Sequence, residues 1–314
     1  MPRRVQLWQV ATVLAFAGAI ASIVVPWLWP SLAARVGSSP VDLVASLPAA
    51  NATVVYIDVD ALRHSGFLNM LAGSKAAEEP DYLQFVNETQ FDYARDLDAV
   101  AAAFKDGQEY FALRGRFHWK DLSAYAARQG GSCHDNYCVL AGSQPNRRIS
   151  FYPLASNVMA LAVAPGDFAA YQIKRQAGQS PAPPSNQPLW ALVPAEALQN
   201  AAALPDGAKP YLAALQNTDQ ILFSVGASGP SADHLQLDVH VTCKDAASAS
   251  ALVGNLEGAT KALRQWIGQT HQPANPGELT SLLVAGAFRR DNRQVYGQWP
   301  IPKAFVDAIA SGSN

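Results

Sequence analysis

The sequence predicts an α+β protein: two tandem related units, each a mainly antiparallel sheet with helices packed on one face, after one N-terminal transmembrane helix. Three observations carry that expectation. No charged residue lies between Arg4 and Arg35, similar segments recur about 136 positions apart, and apolar–polar alternation passes into helical spacing within the second half. The expected divisions are residues 1–35 for the membrane anchor or a signal peptide, and 36–48 for a tether. The first unit then occupies 49–175, a Pro-rich linker 176–188, and the second unit 189–314.

The apolar stretch Leu7 to Trp29 comprises 23 residues, about 34 Å as a helix at roughly 1.5 Å per residue. A bilayer core is about 30 Å thick. Trp8 sits near one end and Trp27 and Trp29 at the other, where indoles favour the membrane–water interface. Arg3 and Arg4 precede the span and assign that side to the cytoplasm, so the chain is expected to be single-pass in the inner membrane with its bulk periplasmic or extracytoplasmic. A cleaved signal peptide ending at Ser31-Leu32-Ala33 is the rival reading, but its apolar core is usually about 7–15 residues. Gly37-Ser38-Ser39-Pro40 reads as the tether.

The duplication is legible at both ends of each unit. Val54-Val55-Tyr56-Ile57-Asp58-Val59 running into Asp60-Ala61-Leu62 is matched by Trp190-Ala191-Leu192-Val193 running into Glu196-Ala197-Leu198. Pro165-Gly166-Asp167-Phe168 leading to Ile173 is matched by Pro302-Lys303-Ala304-Phe305 leading to Ile309. In the middle, Phe111, Leu113, Phe117 and Trp119 before Lys120-Asp121 align with Leu235, Leu237, Val241 and Cys243 before Lys244-Asp245, at an offset of 124. Pro181, Pro183, Pro184 and Pro188 between the units favour an extended connector.

Local structure follows from period. Leu235, Leu237, Val239, Val241 and Cys243 alternate with Gln236, Asp238, His240 and Thr242, a strand with one polar face. Leu252, Leu256, Ala259, Leu263 and Trp266 follow at steps of four and three, an amphipathic helix. Gly254 and Gly258 in that helix suggest close packing on a neighbour. Ser156-Asn157 and Asp291-Asn292 mark hairpin turns.

Leu47-Pro48-Ala49-Ala50 before an aromatic-containing strand, and Phe91-Asp92 leading to Asp96-Leu97-Asp98-Ala99-Val100, carry a resemblance. The chain resembles a group of bacterial membrane-anchored envelope proteins built from tandem copies of an α+β unit, a family of unknown function. The resemblance implies location and architecture and brings no catalytic residues.

Composition and motifs narrow the chemistry. The net charge of −2 provides no broad basic field, so nucleic acid is not an expected partner. There is no P-loop, dinucleotide glycine motif, G-x-S-x-G elbow or HExxH pair, so no catalytic residue, metal or cofactor is assigned. Cys133 and Cys138 flank His134-Asp135-Asn136-Tyr137; across a hairpin with a four-residue loop they are expected to form a disulfide, with a Cys133–His134–Cys138 metal site the weaker alternative. Asp92, Asp96 and Asp98 suit turns and caps better than calcium, since Arg95 sits among them. Cys243 reads as a small buried hydrophobe. Tyr110, Arg114, Arg116 and His118 are expected on the open face of a strand running to Trp119, as a binding surface for an anionic, carbohydrate-like or protein ligand; the alternative is an ordinary solvated face. Arg147-Arg148 and Arg289-Arg290 are expected to serve solubility. The function expected is a non-catalytic extracytoplasmic scaffold or binding module with an envelope protein as partner. The alternatives are a hydrolase with a site in the inter-domain cleft, or an accessory subunit of a membrane complex.

Overall fold

A computed structural model describes residues 40–65, 68, 80–142, 144, 146–174, 183–198, 215, 218–228, 234–270, 275 and 277–310. They form a mixed α+β protein dominated by antiparallel sheet, as the alternation predicts. The apolar run 7–29, residues 36–39 of the tether and residues 176–182 of the linker lie outside the described residues. Among the described residues no helix is long and apolar enough to cross a membrane. Two compact units part between Asn186 and Gln187.

The first unit begins with α1 (Pro40–Ala45), β1 (Thr53–Asp58), α2 (Val59–His64), α3 (Pro80–Thr89) and α4 (Tyr93–Asp96). Strands β2 (Leu97–Lys105) and β3 (Gln108–Gly115), helix α5 (Trp119–Arg128), and strands β4 (Ser132–His134), β5 (Tyr137–Ala141), β6 (Arg148–Ala155) and β7 (Val158–Ala164) follow, with a 3-10 turn at Ala169–Gln172. Its strands lie in the order β1-β2-β3-β7-β6-β5-β4, each pair antiparallel. Asp106 and Gly107 close the β2–β3 hairpin with φ of 51° and 70°, the left-handed pair that a two-residue turn requires. The β4–β5 turn is also tighter than the four-residue loop expected. His134 pairs with Tyr137 across it, leaving Asp135 and Asn136 at φ 49° and 67°.

Directly opposed residues share a face, and both faces of this sheet are covered rather than the one expected. On one, Leu113, Cys138, Phe151, Met159 and Leu161 pack beneath Leu122 and Ala126 of α5, and Phe85 of α3 meets Tyr125 edge-on. The other is paved with Ala99, Ala101, Ala103, Ala112, Ala160, Ala162 and Ala164, each buried. Alanine lets backbone approach closely, and α1 and the 3-10 turn lie there, against β1–β3 and β6–β7 respectively. The Lys174 N–H donates to the Ser46 carbonyl, joining the two covers. Residues 40–45, expected in the tether, are thus part of the unit, with Leu43 1% exposed.

The second unit comprises β8 (Leu189–Pro194), α6 (Ala195–Leu198), β9 (Thr218–Ser228), β10 (His234–Cys243), α7 (Ala246–Thr270), α8 (Leu279–Val284), β11 (Ala287–Asp291), β12 (Gln294–Ile301) and α9 (Lys303–Ala310). Its strand order is β8-β9-β10-β12-β11, the order of β1-β2-β3-β7-β6 in the first unit. Asp98 of β2 and Asp219 of β9 are each the extra residue of a bulge at the same point of the ladder. The Gly115 N–H donates to the Asn157 carbonyl, and the Cys243 N–H to that of Arg293. Gly115 and Cys243 therefore correspond at an offset of 128, four more than the sequence alignment of β3 with β10 assumed. That alignment carried the strand on to Trp119, whereas β3 ends at Gly115. A side chain at Gly115 would lie 2.3 Å from the Asp96 carbonyl.

Leu252 and Leu256 of α7 join Val239, Val241, Cys243, Leu282, Val295 and Trp299 in the core, with Ala259 and Phe305 packed against it. Trp266, expected on this face, is 57% exposed. Gly254 and Gly258 face open space, contrary to the expected close packing: a Cβ at either would meet nothing within 4 Å among the described residues.

The final segments of the two units take different places. Strand β7 has seven residues and ends at Ala164, on the alanine face. Strand β12 has eight and ends at Ile301, on the core face beneath α7. The 3-10 turn covers the alanine face, while Phe305 of α9 joins the α7 core.

Candidate functional site

The four residues expected on one open face are not brought together on it. Tyr110 and Arg114 do point away from α5, but on the alanine face. Tyr110 is 3% exposed, its hydroxyl donates to Gln108 Oε1 at 2.7 Å, and burial raises its pKa. Arg114 interacts with the hydroxyl of Tyr56, whose pKa is pushed up to about 12, chiefly by burial and then by Asp58. Arg116 lies beyond the strand and pairs with Asp96 at 3.0 Å. His118 sits at the N-cap of α5, exposed, with Nδ1 4.0 Å from the Asp121 carboxylate.

Other polar groups serve the fold. Asp92 caps α4 by accepting from the Ala94 N–H. Asp96 accepts from Arg95, Arg116 and the Asp92 N–H; burial opposes its charge, but these partners prevail and lower its pKa. Burial, then Asp60, raises that of Asp98. Cys133 and Cys138 form the disulfide, their Cα atoms 4.1 Å apart. Cys243 is fully buried. The arginines expected to serve solubility are engaged: Arg147 with Glu109 at 2.6 Å, Arg148 with Asp167 at 2.7 Å, and Arg290 with the Ala246 carbonyl at 3.3 Å. Exposed aromatics occur instead at Phe168 and Tyr171, whose rings are nearly parallel, 6.3 Å apart, with Tyr171 stacked on the buried Tyr137 at 4.2 Å.

The second sheet builds a different surface. Opposite its α7 core, strands β10, β11 and β12 present Gln236, Asp238, His240, Thr242, Gln294, Tyr296, Gln298 and Arg289. These correspond to the alanine face of the first unit, with Asp238 at the place of Tyr110 and Tyr296 at that of Ala160. His240 and Tyr296 are opposed across β10–β12 and stack at 4.5 Å and 12°. Arg289, opposed to Tyr296 across β11–β12, holds its guanidinium carbon 3.7 Å from the same ring's centroid. A cation over a tyrosine face is attracted by the ring quadrupole. His240 Nε2 bonds Gln294 Oε1, and burial followed by the nearby Arg289 charge lowers the imidazole pKa. Beside this row, Asp238 Oδ1 accepts from Gln236 at 2.7 Å and from Gln298 at 3.1 Å. Arg289 and Gln298 are exposed, and His240, Tyr296 and Asp238 are partly exposed.

Sequence alternation named Gln236, Asp238, His240 and Thr242 as one polar face, but the β11 and β12 partners were out of its reach. The signal present was Arg289 two residues before the hairpin turn and Tyr296 after it, which only pairing register brings to His240.

No protein-family model and no curated protein matches the chain. Among solved structures it is similar to TP0453: crystal form IV has 8% identity over 87% of this chain and 96% of that one, at a TM-score of 0.45. Crystal form I has 10% identity over 86% and 97%, at 0.44.

Proposed function

We propose that this chain is a non-catalytic binding module, anchored in the inner membrane by residues 7–29 and held outside the cytoplasm, whose partner docks on the polar face of the second sheet. The observation that carries the reading is the row His240–Tyr296–Arg289 beside Gln236–Asp238–Gln298. Paired strands hold such groups in fixed positions, the condition that recognition requires. The charge-free run Leu7 to Trp29 after Arg3 and Arg4 supports the anchor and its orientation, and the Cys133–Cys138 disulfide supports an oxidising compartment.

On the same reading the two units are copies of one ancestor. Their common strand order and the paired bulges at Asp98 and Asp219 support this. The copies then diverged on one face: the first closed it with alanine, α1 and the 3-10 turn, and the second kept it polar.

The test places a photocrosslinking residue at Ala287, exposed on this face but outside the polar network, and at Leu83 of the first unit as control. After irradiation of native membranes and mild detergent extraction, mass spectrometry should find an adduct at Ala287 that His240→Ala plus Arg289→Ala abolishes. Adducts no stronger at Ala287 than at Leu83 overturn the proposal.

A further inference from the structure

We infer that the His240–Tyr296–Arg289 row binds an oxyanion, the carboxylate or phosphate group of the partner, and takes up a proton as it does so. The inference rests on the binding face proposed above and names the chemistry of what that face takes.

The geometry supplies the argument. Arg289 is exposed, and among the described residues no carboxylate pairs with it; its contact is the Tyr296 ring. Two cation-capable groups, His240 and Arg289, flank one tyrosine on three adjacent strands. Cation–π attraction orients the guanidinium without neutralising it. Stacking likewise covers the ring's faces, so the row offers the outside its edges: guanidinium N–H groups, the Tyr296 hydroxyl and the free imidazole nitrogen. The first two are donors to oxygen; the imidazole Nδ1, an acceptor while Nε2–H donates to Gln294 Oε1, becomes a donor once the ring takes up a proton. An apolar ligand finds no bare ring here, and a cation meets Arg289.

The charged groups around His240 agree. From its own strand comes Asp238, whose carboxylate Oδ1 is engaged by Gln236 and Gln298. From β11 come Arg289 and, on the same face opposite Gln294, the exposed carboxylate of Asp291; from β12 comes Tyr296, and at the end of the ladder the loose Arg293–Asp219 pair, 4.0 Å apart. On β9 the residue opposite His240 is Leu222. An anion seated against Arg289 and His240 cancels the repulsion between them and favours imidazolium. Binding therefore strengthens as pH falls from the titration midpoint of bound His240 toward that of the free form, and is flat above the former.

The experiment uses full-length protein in detergent micelles, labelled at its six histidines, with the His240 signal identified by its loss in His240→Gln. Inorganic phosphate and acetate are titrated in separate arms, each against chloride at equal ionic strength. The expected result is an upward shift of the His240 midpoint alone, with Arg289→Gln weakening the response at least about tenfold, the factor one charge-assisted hydrogen bond contributes. A shift confined to one arm assigns the oxyanion. An unmoved His240, a shift equal to chloride's, or a response that survives Arg289→Gln overturns the inference. Arg289→Lys, which keeps the charge, should retain part of the response and excludes loss by misfolding. An Ala287 adduct that persists in Arg289→Gln alone leaves the binding face standing and removes only the oxyanion.

Discussion

Removing Arg147 should destabilise the first unit at neutral pH and much less in acid. Glu109 lies on β3 with its side chain 8% exposed, and Arg147, 20% exposed, reaches it at 2.6 Å. At about 4 Å and an effective dielectric near 20, unit charges attract by about 4 kcal/mol. Stripping one partner from a buried pair costs about 3–5 kcal/mol, because the remaining charge is left without compensation. Arg147 is the wetter partner, so Arg147→Met should cost about 3 kcal/mol at pH 7. Burial already outweighs Arg147 and raises the Glu109 pKa above its ordinary 4.5. A carboxyl raised in the folded state contributes stability that is complete below the ordinary value and lost as pH rises through the folded one. Without Arg147 that folded value climbs further, so the deficit should shrink as pH falls toward 4.5. Urea unfolding followed by circular dichroism at neutral and acidic pH measures it, and Glu109→Gln added to Arg147→Met should restore most of the loss. A deficit equal at both pH values, or below about 1 kcal/mol at pH 7, would show that the pair does not hold Glu109 as described.

Four further outcomes are expected. Gly254→Ala and Gly258→Ala should each stabilise by about 1 kcal/mol in thermal melts, since both lie in α7 with room for a Cβ; no gain would mean the helix face is occupied. Without reductant, thiol labelling should spare Cys133 and Cys138, and replacing both by serine should cost about 2 kcal/mol, a short loop giving a small entropic effect. Stability should decline as pH falls below 6.5, because His240 is held below that ordinary value by burial and Arg289; the neutral form's advantage is present above it, and His240→Gln should flatten the slope. Mass spectrometry of the mature protein from membranes should find Leu7 to Trp29 retained; a chain beginning near Ala34 would replace the anchor with a signal peptide.

Much of the local structure was legible because its signals are local. Alternation in Leu235–Cys243 marked a strand, its polar face and its core face, and the 3–4 spacing after Lys244 marked α7 as far as Ala259. Cys133 and Cys138 were close enough in sequence for a hairpin to oppose them. The errors arose where distant chain decides. Tyr110 is polar and lies away from α5, yet α1 and the 3-10 turn close over its face, and nothing near residue 110 reports that. The alignment of β3 with β10 matched apolar spacing four residues out of place, and the backbone bonds from Gly115 and Cys243 fix it.

The alternating and helical periods, the hairpin disulfide and an α+β architecture can be read from the chain alone, because each depends on residues a few positions apart. Tertiary structure alone decided which polar face is open. That choice rests on what packs over each face: α1 and the 3-10 turn close the alanine face of the first unit, whereas Phe305 of α9 joins the α7 core of the second. Pairing register across β10, β12 and β11 then sets His240, Tyr296 and Arg289, drawn from three strands, side by side on the face opposite that core and in reach of solvent.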